Sequence, residues 1–268
     1  MIKLIITDID GTLVSEGSAD INPEYFTVIK ELTDRGIVFV VASGRHLMGV
    51  RTVFQPILDK VWVLSQNGGA ISHGHDSRIL KPIPREWICE FWDDISQHGE
   101  ADVFSETADL AYCPHEDSEL YRRLTEGYGF TTIATGSYHQ IPEDTYSMVT
   151  IFHPVSGEAF CNQYMTEKWK DRLSLLPSGK NWVDCVMPGI SKGNGLLQLC
   201  KDLHISPQDT IAFGDNFNDI SMLQAAGRGY AVDTARPEVQ EAADHVIPGY
   251  ASDGVLQVLK EILADLAE

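Results

Sequence analysis

The chain has 268 residues, of which 43% are hydrophobic and 22% charged, and its formal net charge is -19. That length and balance describe one large or two ordinary globular domains able to bury a core, and they exclude a low-complexity or repeat protein. The acidic balance argues against nucleic acid and anionic membrane surfaces as partners, because both are bound through cationic neutralisation of phosphates.

The apolar run Leu4-Ile5-Ile6 reads as a buried strand, and it leads directly into Thr7-Asp8-Ile9-Asp10-Gly11-Thr12-Leu13. Strands covered on both faces belong to parallel sheets, which bind ligands outside their carboxyl ends. Asp8 and Asp10 are two apart and point the same way, while Gly11 permits a sharp turn. A hard cation and a phosphate would suit such a strand end. Asn22-Pro23 then marks a helix start that Gly36 closes. The strand 37–42 runs into Ser43-Gly44-Arg45, a helix follows near 45–54, and the strand 61–64 ends in the turn Asn67-Gly68-Gly69. Alternating strands and helices predict a parallel sheet with crossover connections.

Lys81-Pro82-Ile83-Pro84 is a stiff exit from this pattern and Val186-Met187-Pro188-Gly189 looks like the return. Between them the spacing predicts a helix over 84–98, strands over 101–105 and 110–113, and a helix over 116–127. A strand over 148–153, a helix over 157–170 and a strand over 182–186 complete a separate α+β unit. Trp87, Phe91 and Trp92 recur at helical intervals and read as core packing. The alternation then resumes with a helix over 191–203, a strand over 210–213, a helix over 217–226, a strand over 229–232 and a helix over 235–243. An amphipathic helix over 254–266 closes the chain. The expected architecture is α/β, with a doubly wound, Rossmann-like parallel-sheet core formed by 1–82 and 188–268 and an α+β cap formed by 83–187.

A second acidic strand end lies at Gly214-Asp215-Asn216-Phe217-Asn218-Asp219, and Ser191-Lys192-Gly193 opens another helical stretch. A cation at a helix start opposes the helix dipole, a cost easier to understand if an anion sits nearby. The ordered set of DxDGT at 8–12, SGR at 43–45, Lys192 and GDNFND at 214–219 resembles the four motifs of the haloacid dehalogenase superfamily of phosphohydrolases. The long insertion between the second and third motifs is similar to the Cof-type branch, whose insertion folds as an αββ-type cap. Ser43 stands where that branch more often has threonine, and both offer a hydroxyl.

The resemblance implies a Mg²⁺-dependent phosphatase acting on a small phosphorylated metabolite, a sugar phosphate or similar monoester, through an aspartyl phosphate. On this reading Asp8 is the nucleophile and a metal ligand, and Asp10 is the general acid, with its carbonyl on the metal. Asp215 is a metal ligand, Asp219 orients a ligand or a water, and Lys192 shields charge between Asp8 and phosphate. Ser43, Gly44, Asn67, Gly68 and Asn218 would bind phosphate, and Arg45 could contact substrate or tie a helix start to its neighbours. Two further readings share the residues: a phosphotransferase such as a phosphomutase, and a non-catalytic phosphate-binding regulatory protein. The second fits less well, since mere binding needs no leaving-group acid at Asp10.

Cys89, Cys113, Cys161, Cys185 and Cys200 are odd in number and scattered, so they read as reduced packing residues. His73, His75, His98, His115, His139 and His153 show no pair at the helical spacing of a zinc site. The first apolar stretch is too short for a signal peptide and no run is long enough to span a membrane, which predicts a cytoplasmic location.

Overall fold

The computed structural model describes residues 2–74 and 76–266, so His75 lies outside the described residues. The elements run β1 (Leu4–Asp8), α1 (Glu24–Asp34), β2 (Val38–Ala42), α2 (Leu47–Phe54), β3 (Val61–Ser65), β4 (Ala70–His73) and β5 (Asp76–Ile79). Next come α3 (Arg85–His98), β6 (Asp102–Glu106), β7 (Ala111–Cys113), α4 (Glu119–Arg122), β8 (Thr132–Ala134), β9 (Met148–Phe152), α5 (Gly157–Phe160), α6 (Thr166–Trp169), β10 (Ser174–Pro177) and β11 (Trp182–Val186). The chain closes with α7 (Lys192–Asp202), β12 (Thr210–Gly214), α8 (Ile220–Ala225), β13 (Arg228–Val232), α9 (Pro237–Ala242), β14 (His245–Ile247) and α10 (Gly254–Asp265).

The chain divides into two compact units. One comprises the residues up to Arg45, Val50–Arg78 and Ser191 onward; the other comprises His46–Gly49 and Ile79–Ile190. The joints therefore fall after Arg78 and before Ser191, a few residues outside the prolines that marked the expected exit and return.

The first unit is an α/β fold around a sheet of order β14-β13-β12-β1-β2-β3-β4-β5. From β14 to β3 all pairs are parallel, with Leu4 opposite both Val38 and Thr210. Residues of β1 and β12 are buried throughout, as strands flanked by neighbours and covered by helices must be. At α1 the Asn22 side chain accepts the Glu24 amide at 3.0 Å and Pro23 takes helical angles, so the cap read from the sequence forms. The Tyr25 hydroxyl accepts the Leu256 amide at 3.2 Å, which ties the closing helix to the first one.

Connections from β1 lead outward through β2 and β3, whereas those from β12 lead the opposite way through β13 and β14. The order reverses between β1 and β12, so the crevice at their carboxyl ends is a topological switch point, the usual ligand site of such sheets. Asp8 ends β1 and Asp215 follows β12. Strands β4 and β5 were not foreseen: β4 pairs antiparallel with β3 and extends the edge. Their residues are mixed in polarity and β5 is half-exposed, which suits a solvated edge and gives no apolar run to read.

The second unit is α+β, with a sheet of order β10-β11-β9-β6-β7-β8. It is antiparallel apart from the β7/β8 pair. Val103, Val149, Ile151, Val183 and Cys185 pack one face against Ile88, Phe91, Trp92 and Ile95 of α3 and against Phe160, Met165 and Trp169. Phe91 and Trp92 are fully buried, and the Trp92 indole donates to Ser105 Oγ at 2.8 Å, as a buried indole requires. The helices expected over 116–127 and 157–170 are built from α turns continued by π turns at 123–127 and 161–165. No helix among the described residues is long and apolar enough to cross a membrane, and all five cysteines are free.

Candidate active site

The carboxylates of Asp8, Asp215 and Asp219 offer oxygens that lie within 4.8 Å of one another. Lys192 joins them from the first position of α7, a helix capped by the Ser191 hydroxyl, which accepts the Asn194 amide at 3.1 Å. Its ammonium donates to Asp8 Oδ1 and, at 2.6 Å, to Asp219 Oδ1. The lysine is 1% exposed and Asp219 fully buried. The other oxygen of Asp219, Oδ2, accepts the Asp215 and Asn216 amides at 3.0 Å each, closing a capping box with Asn216. One carboxylate thus fixes both the lysine and the turn that carries Asp215.

Asp215 Oδ1 accepts from the Thr12 hydroxyl at 2.9 Å. Gly11 sits at φ +82, and a Cβ on it would fall 2.2 Å from Asp215 Oδ2, so the opening loop needs glycine to let this carboxylate approach.

Burial dominates the electrostatics. It pushes the Asp8 carboxyl well above its ordinary range; Lys192 pulls the other way, while Asp219 and Asp215 push further up. Asp215 is pushed up to about 6, first by burial and then by Asp219. Burial alone would lower Lys192, but Asp219 and Asp8 outweigh it and hold the ammonium charged. Three carboxylates against one ammonium leave excess negative charge in a low-dielectric place. The donors are all hard oxygens, and no thiol or imidazole joins them among the described residues. That set fits Mg²⁺ or a similar divalent cation, whose charge would favour the ionised forms of Asp8 and Asp215.

A second group of residues is linked together beside the start of α7. Ser43 is buried, its carbonyl accepts the Asn67 amide at 3.1 Å and its hydroxyl accepts the Arg45 amide at 3.0 Å, leaving the hydroxyl proton to be given elsewhere. Gly44 lies against the Asn67 side chain, whose Oδ1 accepts from the Asn218 amide group at 3.0 Å. Gly68 has φ +95, and a Cβ there would meet the Ser191 carbonyl at 2.3 Å. The Asn67-Gly68 turn is therefore pressed against the start of the helix that carries Lys192.

Asp10 stands apart from the carboxylate cluster in its partners: Arg45 grips both of its oxygens, at 2.7 Å to Oδ2 and 2.6 Å to Oδ1. The structure thus brings Asp8, Asp215, Asp219 and Lys192 together, links Ser43, Gly44, Asn67 and Asn218 to one another and Gly68 to the start of α7, and gives Arg45 a partner. The contacts of Thr12 and of Ser18, whose carbonyl accepts from Arg45 Nη2 at 2.7 Å, were not anticipated. Thr12 lies inside the first motif, and its hydroxyl was the available signal; the Ser18 carbonyl left none.

A family model for haloacid dehalogenase-like hydrolases matches residues 5–259. The chain is 27% identical to phosphatase YwpJ of Bacillus subtilis, over 97% of this chain and 100% of the relative. It is 26% identical to the 5-amino-6-(5-phospho-D-ribitylamino)uracil phosphatase YbjI of Escherichia coli, over 98% of this chain and 96% of the relative. A crystal structure from Eubacterium rectale is similar at 36% identity with a TM-score of 0.92, covering 97% of this chain and 99% of that one. The four motifs, the switch-point site and the match along nearly the whole sequence agree, and the chain belongs to the haloacid dehalogenase-like hydrolase family, in its Cof-type branch.

Proposed function

We propose that the chain is a Mg²⁺-dependent phosphatase that hydrolyses small phosphorylated metabolites, sugar phosphates or similar monoesters, through an aspartyl phosphate on Asp8. The observation that carries this reading is the buried contact of Lys192 with both Asp8 and Asp219, beside Asp215. Phosphoryl transfer asks mainly for positioning and charge stabilisation, and this cluster supplies both.

Asp8 attacks phosphorus with one carboxylate oxygen as the bond from phosphorus to the leaving alkoxide breaks, and Asp10 gives that alkoxide its proton. Asp10, now a carboxylate, takes a proton from a water that attacks the aspartyl phosphate; inorganic phosphate leaves and Asp8 is restored. Lys192 keeps Asp8 and the phosphoryl oxygens from repelling each other. Ser43, the Gly44 amide, Asn67, Gly68 and Asn218 surround the transferring group. Asp8, the Asp10 carbonyl and Asp215 would hold Mg²⁺, with Asp219 orienting them, and the ion would neutralise phosphoryl charge. The residues 83–187, which carry none of these groups, act as the cap that selects the metabolite. A relative named for a phosphorylated ribityl substrate supports the monoester class.

The test is phosphate release from a panel of phosphorylated metabolites, with Mg²⁺ and with excess chelator. Release from at least one monoester, lost on chelation and in Asp8→Asn, is expected. Turnover that survives either change would refute the reading.

A further inference from the structure

Arg45 has no part in the steps above, yet it is the side chain most closely engaged with Asp10. Its Nε donates to Asp10 Oδ2 at 2.7 Å and its Nη2 to Oδ1 at 2.6 Å, a guanidinium fork on a carboxylate. Nη2 also donates to the Ser18 carbonyl at 2.7 Å, and Oδ1 also accepts the Gly17 amide at 2.8 Å. The two side chains are only 19% and 25% exposed. Oδ1 has both lone pairs engaged. Oδ2 accepts from Arg45 Nε alone among the described residues, which leaves it one lone pair.

Arg45 is itself fixed through its backbone. Its amide donates to Ser43 Oγ at 3.0 Å and its carbonyl accepts the Gln66 amide at 3.1 Å. The backbone that carries the guanidinium is thereby tied to the hydroxyl and the turn assigned above to the phosphoryl group.

We propose that Arg45 is the positioning residue of the acid–base step, orienting Asp10 so that the open lone pair of Oδ2 carries the proton in both half-reactions. The inference rests on the reading of Asp10 as general acid and base. The proton leaves Oδ2 for the departing alkoxide and returns to Oδ2 from the attacking water, and the fork to Arg45 stays in place through both transfers. Without it, Asp10 would keep the Gly17 amide on Oδ1 as its one described restraint, and the transfer would lose its alignment. A lysine offers a point charge but no fork, so it would replace Arg45 only in part.

The test compares Arg45→Gln, Arg45→Lys, Asp10→Asn and the double variant Arg45→Gln/Asp10→Asn, using glycerol 1-phosphate and p-nitrophenyl phosphate with Mg²⁺. Arg45→Gln is expected to lower kcat on the alkyl phosphate about 10- to 100-fold, with KM little changed and the initial burst of nitrophenolate largely kept. Arg45→Lys should show the same pattern with a smaller loss, and it stands in if the glutamine variant does not fold. The double variant should be no slower than Asp10→Asn alone, because a residue acting through Asp10 has nothing left to position. Additive losses, or a raised KM with kcat preserved, would show Arg45 gripping substrate directly and overturn the proposal. Asp10→Asn slowing both leaving groups equally would instead overturn the acid assignment on which it stands.

Discussion

The ammonium of Lys192 lies 2.6 Å from Asp219 Oδ1 with both side chains sealed from solvent, so the cation that the carboxylate cluster contains is held by a residue whose second oxygen caps the motif-four turn. A buried charge of this kind depends on its partner far more than a surface pair does.

Lys192→Met is accordingly expected to destabilise the protein by about 3–5 kcal/mol in metal-free buffer, because Asp8 and Asp219 would be buried without a counter-charge. Urea denaturation checks it. A variant as stable as the parent would mean that the pair does not hold the site together.

Mg²⁺ should raise the thermal midpoint in proportion to its binding, reaching about 2.7 kcal/mol of stabilisation at a hundredfold excess over Kd. Asp215→Asn should fold and lose most of that rise. A thermal-shift titration with and without chelator decides the matter, and an unchanged midpoint in the parent at high Mg²⁺ would remove the cation from the account.

Asp8→Asn should leave no acid-stable phosphoenzyme after quenching, whereas Asp10→Asn should still form one from p-nitrophenyl phosphate. The Asp10→Asn loss should be far larger on alkyl phosphates, since acid catalysis contributes roughly 10² to 10⁴-fold and a nitrophenolate needs little of it. Labelled phosphoenzyme trapping and steady-state rates on both substrates provide the comparison.

Asp184 gives a test in the second unit. It lies on β11, accepts from Thr150 Oγ1 at 3.2 Å, and is pushed up to about 6 by burial, with hydrogen bonds from Ser178 and Thr150 opposing. The folded state therefore holds a proton that the unfolded state releases near pH 3.9, so this stability is present at low pH and lost as pH rises through about 6. Asp184→Asn keeps an acceptor without the charge. It should raise stability by up to about 3 kcal/mol at about pH 8 and by almost nothing at about pH 4. Urea midpoints at the two pH values measure the difference, and an equal effect at both would remove the buried proton from the explanation.

Much of the architecture is local and was readable as such. The apolar run Leu4-Ile5-Ile6 and the cap at Asn22 each carry their signal within a few residues. Five other short strands, β4, β5, β8, β10 and β14, do not. They have three or four residues of mixed burial, and what makes them strands is the neighbour they pair with.

The same division runs through the site. By itself the sequence determined that acidic turns follow two buried strands and that a lysine opens a helix, because strand ends, glycine turns and helix starts are written in adjacent residues. Only the tertiary structure decided which charge meets which. Lys192 reaches Asp8 from 184 positions away, and Arg45 pairs with Asp10 across 35. Thr12 supports Asp215 from 203 positions away. The sheet order brings β1 and β12 side by side, and burial then makes each partner's charge count, because a carboxylate removed from water is stable only beside the groups that the fold has packed against it.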